Sequence, residues 1–253
     1  MPTTLPQVPH DSSGYRHDDY RRVDPRQRLI VALDVSTAAA AQKIVAAVGD
    51  SALTYKVGMQ LYTAEGPQVV HDLVGSGRRV FLDLKYHDIP NTVGAAVSEA
   101  AKLGVSMLTV HAAGSGKMLR AAVDAAKANP ALMVLAVTVL TSMDGHDLET
   151  IGIRGTVEDS VLRLATIALA NGCHGVVTSA REASTLRSEL GDEFALVTPG
   201  VRPAGSSVGD QVRVVTPAEA IASGASHIVV GRPITEAADP AAEARAILGQ
   251  ISG

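Results

Sequence analysis

Residues 81–93 read Phe81-Leu-Asp-Leu-Lys-Tyr-His-Asp-Ile-Pro-Asn-Thr-Val93 and concentrate more chemistry than any other stretch of the chain. The apolar pair Val80-Phe81 predicts the end of a buried strand, and the Pro-Asn-Thr run predicts the start of a helix. Because strand side chains alternate between faces, Asp83 and Lys85 are expected to point the same way, with Asp88 in the following turn. Buried charges are costly unless they are paired. This strand–turn–helix unit therefore predicts a catalytic site.

The same strand-then-helix order recurs along the chain from Leu29 onward. Short β-branched runs predict strands at residues 29–33, 54–57, 79–84, 106–110, 133–137, 175–177, 195–197 and 227–230. Alanine-rich stretches predict helices at residues 38–48, 64–74, 92–103, 117–128, 157–170, 182–190, 217–222 and 241–248. Eight such units predict an α/β fold, a single (β/α)8 TIM barrel. A doubly wound open sheet is the alternative, and the regular units without a long insertion favour the closed barrel.

The N-terminal residues differ in composition from the rest. Residues 1–27 are rich in Asp, Arg, Pro, Ser and His, and we expect a flexible leader, because this segment has little apolar surface to offset its ordering entropy. His10 and His17 raise the possibility of a metal site there, but a solvated leader is favoured. Residues 28–253 are assigned to the catalytic barrel domain.

Composition restricts the function classes. The net charge of -4 and the pI of about 6.0 argue against a nucleic-acid or membrane-surface protein. No apolar run reaches the ~18 residues of a membrane span. The single cysteine, Cys173, excludes an internal disulfide and a cysteine-built metal site, and we expect it to be a small buried filler. A cytoplasmic location fits these features.

Polar residues lie at the carboxyl end of each predicted strand or directly after it, where barrel enzymes keep their active sites. In strand order they are Asp34, Lys56 with Gly58, Asp83 with Lys85, His111, Thr138 with Thr141-Ser142, Thr178-Ser179, Pro199-Gly-Val-Arg202, and Gly231-Arg232. The sequence therefore predicts one active site at this end of the barrel.

The last two loops are suited to phosphate, which barrels often bind after strands seven and eight. Gly231 offers an accessible backbone amide beside the Arg232 guanidinium. Residues 200–211 form a polar, glycine-spaced stretch that predicts a mobile lid, with Arg202 and Gln211 as contacts. A single Gly-Arg pair is equally typical of a surface turn, but two such loops favour phosphate binding.

Together these residues resemble the orotidine 5'-phosphate decarboxylase family. The matching pieces are Val31-Ala-Leu-Asp34, Tyr55-Lys-Val-Gly58, residues 81–93, Val139-Leu-Thr-Ser-Met143, Thr198-Pro-Gly-Val-Arg-Pro203, Gly209-Asp-Gln211 and Val229-Val-Gly-Arg-Pro-Ile-Thr235. The resemblance implies cofactor-independent decarboxylation of orotidine 5'-phosphate to UMP in pyrimidine biosynthesis, by a homodimer with shared active sites. Its catalytic set would be Lys85, Asp83, Asp88 and Lys56.

The resemblance also implies how the substrate is held. Asp34 and Lys56 would contact the ribose, and Thr141 would contact the pyrimidine. Asp83 would lie beside the departing carboxylate. Asp88 and Thr92 would reach into the partner's site across the dimer interface. The phosphate would be held by Arg202, Gln211, Gly231 and Arg232.

Two other functions stay open at this point. One is a metal-dependent sugar-phosphate decarboxylase or lyase on the same barrel, since the Asp83-x-Lys85-x-x-Asp88 element is shared with such relatives. These relatives resemble one another in placing a metal-binding carboxylate where this chain has Lys56, whose ammonium cannot bind a cation. We therefore expect no metal and no cofactor. The other is a nucleotide-binding barrel without catalysis, which would gain nothing from opposed buried charges.

Structural roles are also open for several of these residues. Asp34 is a possible cap for the helix after Ser36-Thr37, and Asn91 and Thr92 are possible N-terminal groups of the helix that Pro90 opens. Lys56 is a possible buried-stem lysine with its head in solvent. His111 is expected to be a satisfied core histidine and is left out of the catalytic set.

Overall fold

The structure, a computed structural model, describes residues 23–203 and 215–252. Within these ranges eight parallel strands form a closed barrel in sequence order. They are β1 Leu29–Ala32, β2 Thr54–Gly58, β3 Arg79–Tyr86, β4 Met107–His111, β5 Met133–Val137, β6 Gly175–Val177, β7 Ala195–Thr198 and β8 His227–Val230. Because β1 pairs with both β2 and β8, the ring has no free edge. The predicted TIM barrel is confirmed, and the open sheet is wrong.

Helices connect the strands around the outside of the barrel. In the described part of the chain they are α1 Pro25–Arg28, α2 Ala38–Val48, α3 Met59–Glu65, α4 Gln68–Gly75, α5 Pro90–Lys102, α6 Ser115–Ala126, α7 Gly145–Thr150, α8 Val157–Ala170, α9 Ala180–Leu190, α10 Pro217–Ala222, α11 Arg232–Thr235 and α12 Pro240–Ile251. The bounds of α2, α8 and α10 are those that the sequence predicts. The other predicted helices differ at their ends by a few residues.

The helix predicted at residues 64–74 is wrong as a single element. Gly66 ends α3 with a φ of 68°, and Pro67 starts the turn into α4. A left-handed glycine ends a helix, and a proline disfavours helical backbone at the residue before it. The loop after β2 therefore contains two short helices in place of one.

Two apolar layers hold the barrel. The interior of the barrel is filled by alternate strand residues such as Ile30, Phe81, Met107 and Leu135. The residues that point outward, such as Val31, Leu82 and Leu108, pack against the surrounding helices. Each fully buried side chain of this size contributes roughly 1.5–3 kcal/mol. Both strand faces are buried, which is why the strands read as continuous apolar runs.

The described chain enters the barrel at the amino end of β1. Asp24 caps α1, and the buried Arg28 donates hydrogen bonds to the carbonyl oxygens of Ser226 (3.0 Å) and Ile251 (3.3 Å). Arg28 therefore links the start of the barrel to its last helix. Residues 1–22 of the predicted leader, and most of the predicted lid including Gln211, lie outside the described residues. Within residues 23–203 and 215–252, no helix combines the length and apolarity of a membrane span.

Candidate active site

A cavity of about 580 Å³ opens at the carboxyl ends of the strands. This volume lies in the range of small-molecule sites. Its wall contains the predicted site residues Asp34, Lys56, Asp83, Lys85, Thr141, Arg202, Gly231 and Arg232. Residues from six different strands or the loops after them therefore converge on one space, as the sequence predicts.

One side of this cavity, the charged wall, consists of side chains whose charges alternate in sign: Asp34, Lys56, Asp83 and Lys85. Lys56 Nζ donates a 2.8 Å hydrogen bond to Asp34 Oδ1 and lies 3.7 Å from Asp83 Oδ2. Lys85 Nζ donates a 2.9 Å hydrogen bond to Asp83 Oδ1. The side chains of Lys56 and Asp83 are only 12% and 14% exposed, so these charges interact with little screening by water. Each buried charge has a partner of opposite sign, which makes the array tolerable.

The backbone of β3 is distorted where it delivers these charges. Lys85 has a φ of 52°, in the left-handed region that non-glycine residues rarely adopt. Such a conformation costs on the order of 1–3 kcal/mol and persists only where the surroundings hold it. The pairing of β3 with β4 also shifts, from Leu82 opposite Leu108 to Tyr86 opposite Val110. The regular alternation of side chains between the two faces of β3 therefore ends at Lys85, although the Lys85 ammonium still reaches Asp83.

Thr109 on β4 lies opposite this distortion and was not among the predicted site residues. Its Oγ1 accepts a 2.9 Å hydrogen bond from the backbone N–H of Lys85 and donates a 3.0 Å hydrogen bond to Asp83 Oδ1. Thr109 is fully buried and does not line the cavity. The available signal in the sequence was its position, two residues before His111, which puts it on the inward face of β4.

The opposite side of the cavity is mostly apolar. Val137 is the last residue of β5, and Val139, Leu140 and Thr141 come after it. Val177 from β6 extends this surface. An apolar wall facing a charged wall is suited to a flat ring that carries a charged substituent on one edge.

The loops after β7 and β8 supply cations to the cavity rim. Arg232 is exposed, whereas Arg202 is buried at 6% exposure and its backbone N–H bonds the Val215 carbonyl at 3.0 Å. Gly231 lies next to the charged wall, because a Cβ placed there would be 3.9 Å from Asp34 Oδ2. The cationic end of the cavity is therefore formed where the sequence predicts phosphate binding.

Asp88 and Thr92 do not line the cavity of their own chain. Both are exposed, and the Asp88 carboxylate accepts a hydrogen bond from the backbone N–H of Ile89 at 2.6 Å. Asp88 lies in a separate surface depression together with His87, Ile89 and Pro90. The sequence groups Asp88 with Asp83 and Lys85, but in one chain these residues are not brought together.

His111 is outside the cavity as well. Its ring stacks on that of His87 with centroids 5.1 Å apart, and its Nδ1 accepts a 3.4 Å hydrogen bond from the Ala113 N–H. Burial, helped by His87 and Lys85, lowers the pKa of His111 below its ordinary value. These contacts agree with the structural role expected for His111.

Asp34 and Lys56 do not have the structural roles that the sequence left open for them. Thr37 is the N-cap of α2, whereas the Asp34 carboxylate bonds Lys56. Ile89 precedes α5 as its N-cap residue, and Asn91 and Thr92 follow Pro90 in the first turn of this helix. The Lys56 head is not in open solvent, because it lies between two carboxylates.

The described residues offer no group of three or more His, Cys, Asp or Glu side chains placed to hold a metal ion. In the cavity, each carboxylate of the charged wall is engaged by a lysine. The ammonium groups of Lys56 and Lys85 cannot act as metal ligands.

A closed (β/α)8 barrel with paired ammonium and carboxylate groups around a cavity at its carboxyl end has the architecture of the barrel enzymes. The chain belongs to the orotidine 5'-phosphate decarboxylase / HUMPS family, whose model matches residues 27–247. It is 52% identical to the orotidine 5'-phosphate decarboxylase of Afipia carboxidovorans over 90% of this chain and 96% of that protein. It is also 52% identical to the orotidine 5'-phosphate decarboxylase of Halorhodospira halophila, over 89% of this chain and 96% of that protein.

Solved structures agree with this assignment. The crystal structure of orotidine 5'-phosphate decarboxylase from Lactobacillus acidophilus superposes with a TM-score of 0.82 at 39% identity. The match covers 90% of this chain and 100% of that one. The family resemblance inferred from the motifs is confirmed.

Proposed function

We propose that this enzyme removes CO2 from orotidine 5'-phosphate to give UMP, without a cofactor, in pyrimidine biosynthesis. The observation that carries the proposal is the chain of alternating charges formed by Asp34, Lys56, Asp83 and Lys85 on one wall of the cavity. Membership in the family supports the same reaction, as does the name shared by the relatives that are 52% identical.

The charged wall suggests how the reaction is catalysed. Loss of CO2 breaks the bond between C6 of the pyrimidine and the carboxylate, and the electron pair stays on C6, where no adjacent π system delocalises it. Enzymes lower barriers by roughly 8–23 kcal/mol, and a fixed charge at the reacting atom is an effective way to do so. The Lys85 ammonium would stabilise the carbanion and then transfer one proton to C6. Solvent would return that proton to the neutral amine.

Asp83 would act on the substrate rather than on the product. Its carboxylate is held beside Lys85 by a 2.9 Å hydrogen bond and would face the substrate carboxylate. Two neighbouring carboxylates repel, and departure of neutral CO2 removes the repulsion. Lys56 would keep the Asp83 carboxylate oriented, and Asp34, the most exposed member at 62%, would accept hydrogen bonds from the ribose.

The rest of the cavity would bind the nucleotide. Thr141 and its apolar neighbours would hold the pyrimidine, and Gly231 with Arg232 would hold the phosphate. Arg202 and Gln211 are proposed for the same phosphate, although Gln211 lies outside the described residues. Binding energy from the phosphate, remote from C6, can then be used to hold the charged groups together.

A homodimer with shared active sites would account for Asp88 and Thr92. Neither reaches the cavity of its own chain, and Ile89 between them is 66% exposed. A two-fold interface over this surface would bury Ile89 and bring the partner's Asp88 to the charged wall. The cytoplasmic location stays a prediction of the sequence.

The reaction is tested by the loss of orotidine 5'-phosphate absorbance with purified protein in excess EDTA. EDTA removes divalent metal ions, and the proposed mechanism uses none. We therefore expect rapid conversion to UMP. If there is no conversion in EDTA, but magnesium restores activity on a keto-sugar phosphate, the metal-dependent alternative is correct. Tight UMP binding with no turnover of either substrate would instead favour the nucleotide-binding barrel.

The shared site is tested by mixing two inactive variants, Lys85→Ala and Asp88→Ala, under conditions that let subunits exchange. In a hybrid dimer, one site carries both changes and the other carries neither. Random exchange should therefore restore about a quarter of the parent activity, since half of the dimers are hybrids with one intact site of two. If activity does not return although the subunits exchange, each chain has a complete site of its own.

A further inference from the structure

The Thr109 hydroxyl completes a closed ring of hydrogen bonds with Lys85 and Asp83. It accepts from the Lys85 backbone N–H at 2.9 Å and donates to Asp83 Oδ1 at 3.0 Å. The same Asp83 oxygen accepts from Lys85 Nζ at 2.9 Å. One hydroxyl therefore restrains Lys85 at both ends, directly at the backbone and through Asp83 at the ammonium. A hydroxyl suits this position, because it donates and accepts at the same time.

Thr109 also substitutes for strand pairing at the distorted part of β3. Leu82 is opposite Leu108 and Tyr86 is opposite Val110, so residues 83–85 face Thr109 alone. In a regular ladder the Lys85 N–H would bond a carbonyl of the neighbouring strand. Here it bonds a side chain, and Lys85 keeps a φ of 52°. The hydroxyl thus satisfies a backbone donor that the distortion would otherwise leave without its bond to β4.

We propose that Thr109 is a positioning residue for the decarboxylation, which holds the Lys85 ammonium and the Asp83 carboxylate in their reactive arrangement. The inference rests on the function proposed above. Thr109 is fully buried and absent from the cavity wall, so it acts only through Asp83 and Lys85. Its loss should therefore lower the rate of the chemical step and leave the binding of the nucleotide nearly unchanged.

The test compares Thr109→Val, which keeps the branched shape and removes the hydroxyl, with Thr109→Ser, which keeps the hydroxyl. We expect Thr109→Val to lower kcat by about 100-fold, the usual effect of a small misplacement of catalytic groups. KM and the Kd for UMP should stay within about threefold of the parent, and Thr109→Ser should recover most of kcat. Thr109→Ala removes the same hydroxyl and replaces Thr109→Val if that variant gives no folded protein.

Thr54→Val is the matched control. Thr54 is also fully buried on a strand, and its Oγ1 donates a 2.9 Å hydrogen bond to the Gln27 carbonyl at the other end of the barrel. We expect this variant to lose stability and to keep kcat. The inference is overturned if Thr109→Val keeps kcat within about threefold, if Thr109→Ser loses as much as Thr109→Val, or if kcat and UMP affinity fall together.

A second readout separates this inference from the proposed reaction. Hydrogen exchange at the Lys85 amide reports the bond to Thr109 directly, whatever the enzyme catalyses. We expect faster exchange at that amide in Thr109→Val than in the parent or in Thr54→Val. Unchanged exchange would show that Thr109 does not hold Lys85. If the parent enzyme is inactive but the Lys85 amide exchanges faster in Thr109→Val, the proposed reaction is wrong. The hydrogen bond between Thr109 and Lys85 is then still supported.

Discussion

The ammonium of Lys56 on β2 donates a 2.8 Å hydrogen bond to the carboxylate of Asp34, which follows β1. This contact joins the solvent side of the cavity to the partly buried pair formed by Asp83 and Lys85. Gly58, two residues after Lys56, leaves room for it. A Cβ at Gly58 would lie 3.0 Å from Lys56 Nζ and 3.5 Å from Asp34 Oδ1.

Gly58→Ala should therefore displace the Lys56 ammonium without disturbing the barrel. We expect kcat/KM to fall by about 10- to 100-fold, since misplaced charged groups lose much of their effect on the transition state. Steady-state kinetics and thermal unfolding check this. Gly249→Ala on α12, where nothing lies within 4 Å of the new Cβ, is the control. Equal activity in the two variants would contradict the packing argument.

Lys85→Ala should separate binding from chemistry. The variant loses the group that meets the carbanion, and we expect kcat to fall by at least about 1,000-fold. UMP should still bind, because the loops after β7 and β8 and the apolar wall remain. Single-turnover kinetics and calorimetric titration with UMP provide the measurements. Activity equal to that of the parent would refute the mechanism.

Arg232→Ala should weaken recognition of the phosphate. A charge-assisted hydrogen bond contributes about 1.5–3 kcal/mol, which corresponds to roughly a 10- to 150-fold loss of UMP affinity. Binding of uridine, which has no phosphate, should hardly change. Arg154→Ala, an exposed arginine outside the cavity wall, is the control. An equal loss for UMP and uridine would place the phosphate elsewhere.

His227 should make the fold sensitive to acid. Burial, assisted by the nearby Arg28 and Arg79 charges, lowers the pKa of His227 from 6.5 to about 3. Between these pH values the unfolded chain binds more protons at this residue than the folded chain does. The contribution of His227 to the free energy of unfolding is therefore fully present above pH 6.5 and is lost as the pH falls. At pH 5 the loss from this group is about 2 kcal/mol.

Urea unfolding at pH 7 and pH 5 checks the contribution of His227. We expect His227→Gln to lose less stability than the parent between the two pH values, whatever its absolute stability. His71→Gln, at an exposed site on α4, is the control and should behave like the parent. The same pH dependence in all three proteins would exclude His227 as the source.

Cys173 should not react in the folded protein. The thiol is buried, and burial raises its pKa to about 12. Because the thiolate is the reactive form, labelling with a disulfide reagent should be at least ~1,000-fold slower in buffer than in urea. Fast stoichiometric labelling of the native enzyme would mean that the segment around Cys173 opens readily.

The barrel and the members of its cavity were predictable because their signals are local. Apolar runs mark buried strands, and the polar residues directly after them converge once the strands are parallel. Asp34 and the Gly231-Arg232 loop follow this rule, and Lys56, Asp83 and Lys85 lie within the carboxyl-terminal parts of β2 and β3. The short helix α7, which is absent from the predicted helices, also had a local signal, since Asp144 and Asp147 form a capping box.

The details that depend on contacts between strands were not predictable. Alternation predicts that Lys85 faces the same way as Asp83, but it gives no indication of a left-handed backbone or of a register shift against β4. Thr109 reads as one more barrel-lining residue, because its hydrogen bonds depend on that shift. Asp88 shows the same limit, since residues close in sequence need not share a cavity within one chain.

The left-handed backbone at Lys85 sets stability and activity against each other at a single position. Glycine adopts a φ of 52° at little cost, and asparagine does so more readily than lysine. A library randomised at this codon and screened only for thermal resistance should therefore accumulate glycine and asparagine. A screen for growth that depends on UMP synthesis should return lysine. Selection for heat tolerance alone is therefore expected to replace Lys85 and to give a stable barrel without activity.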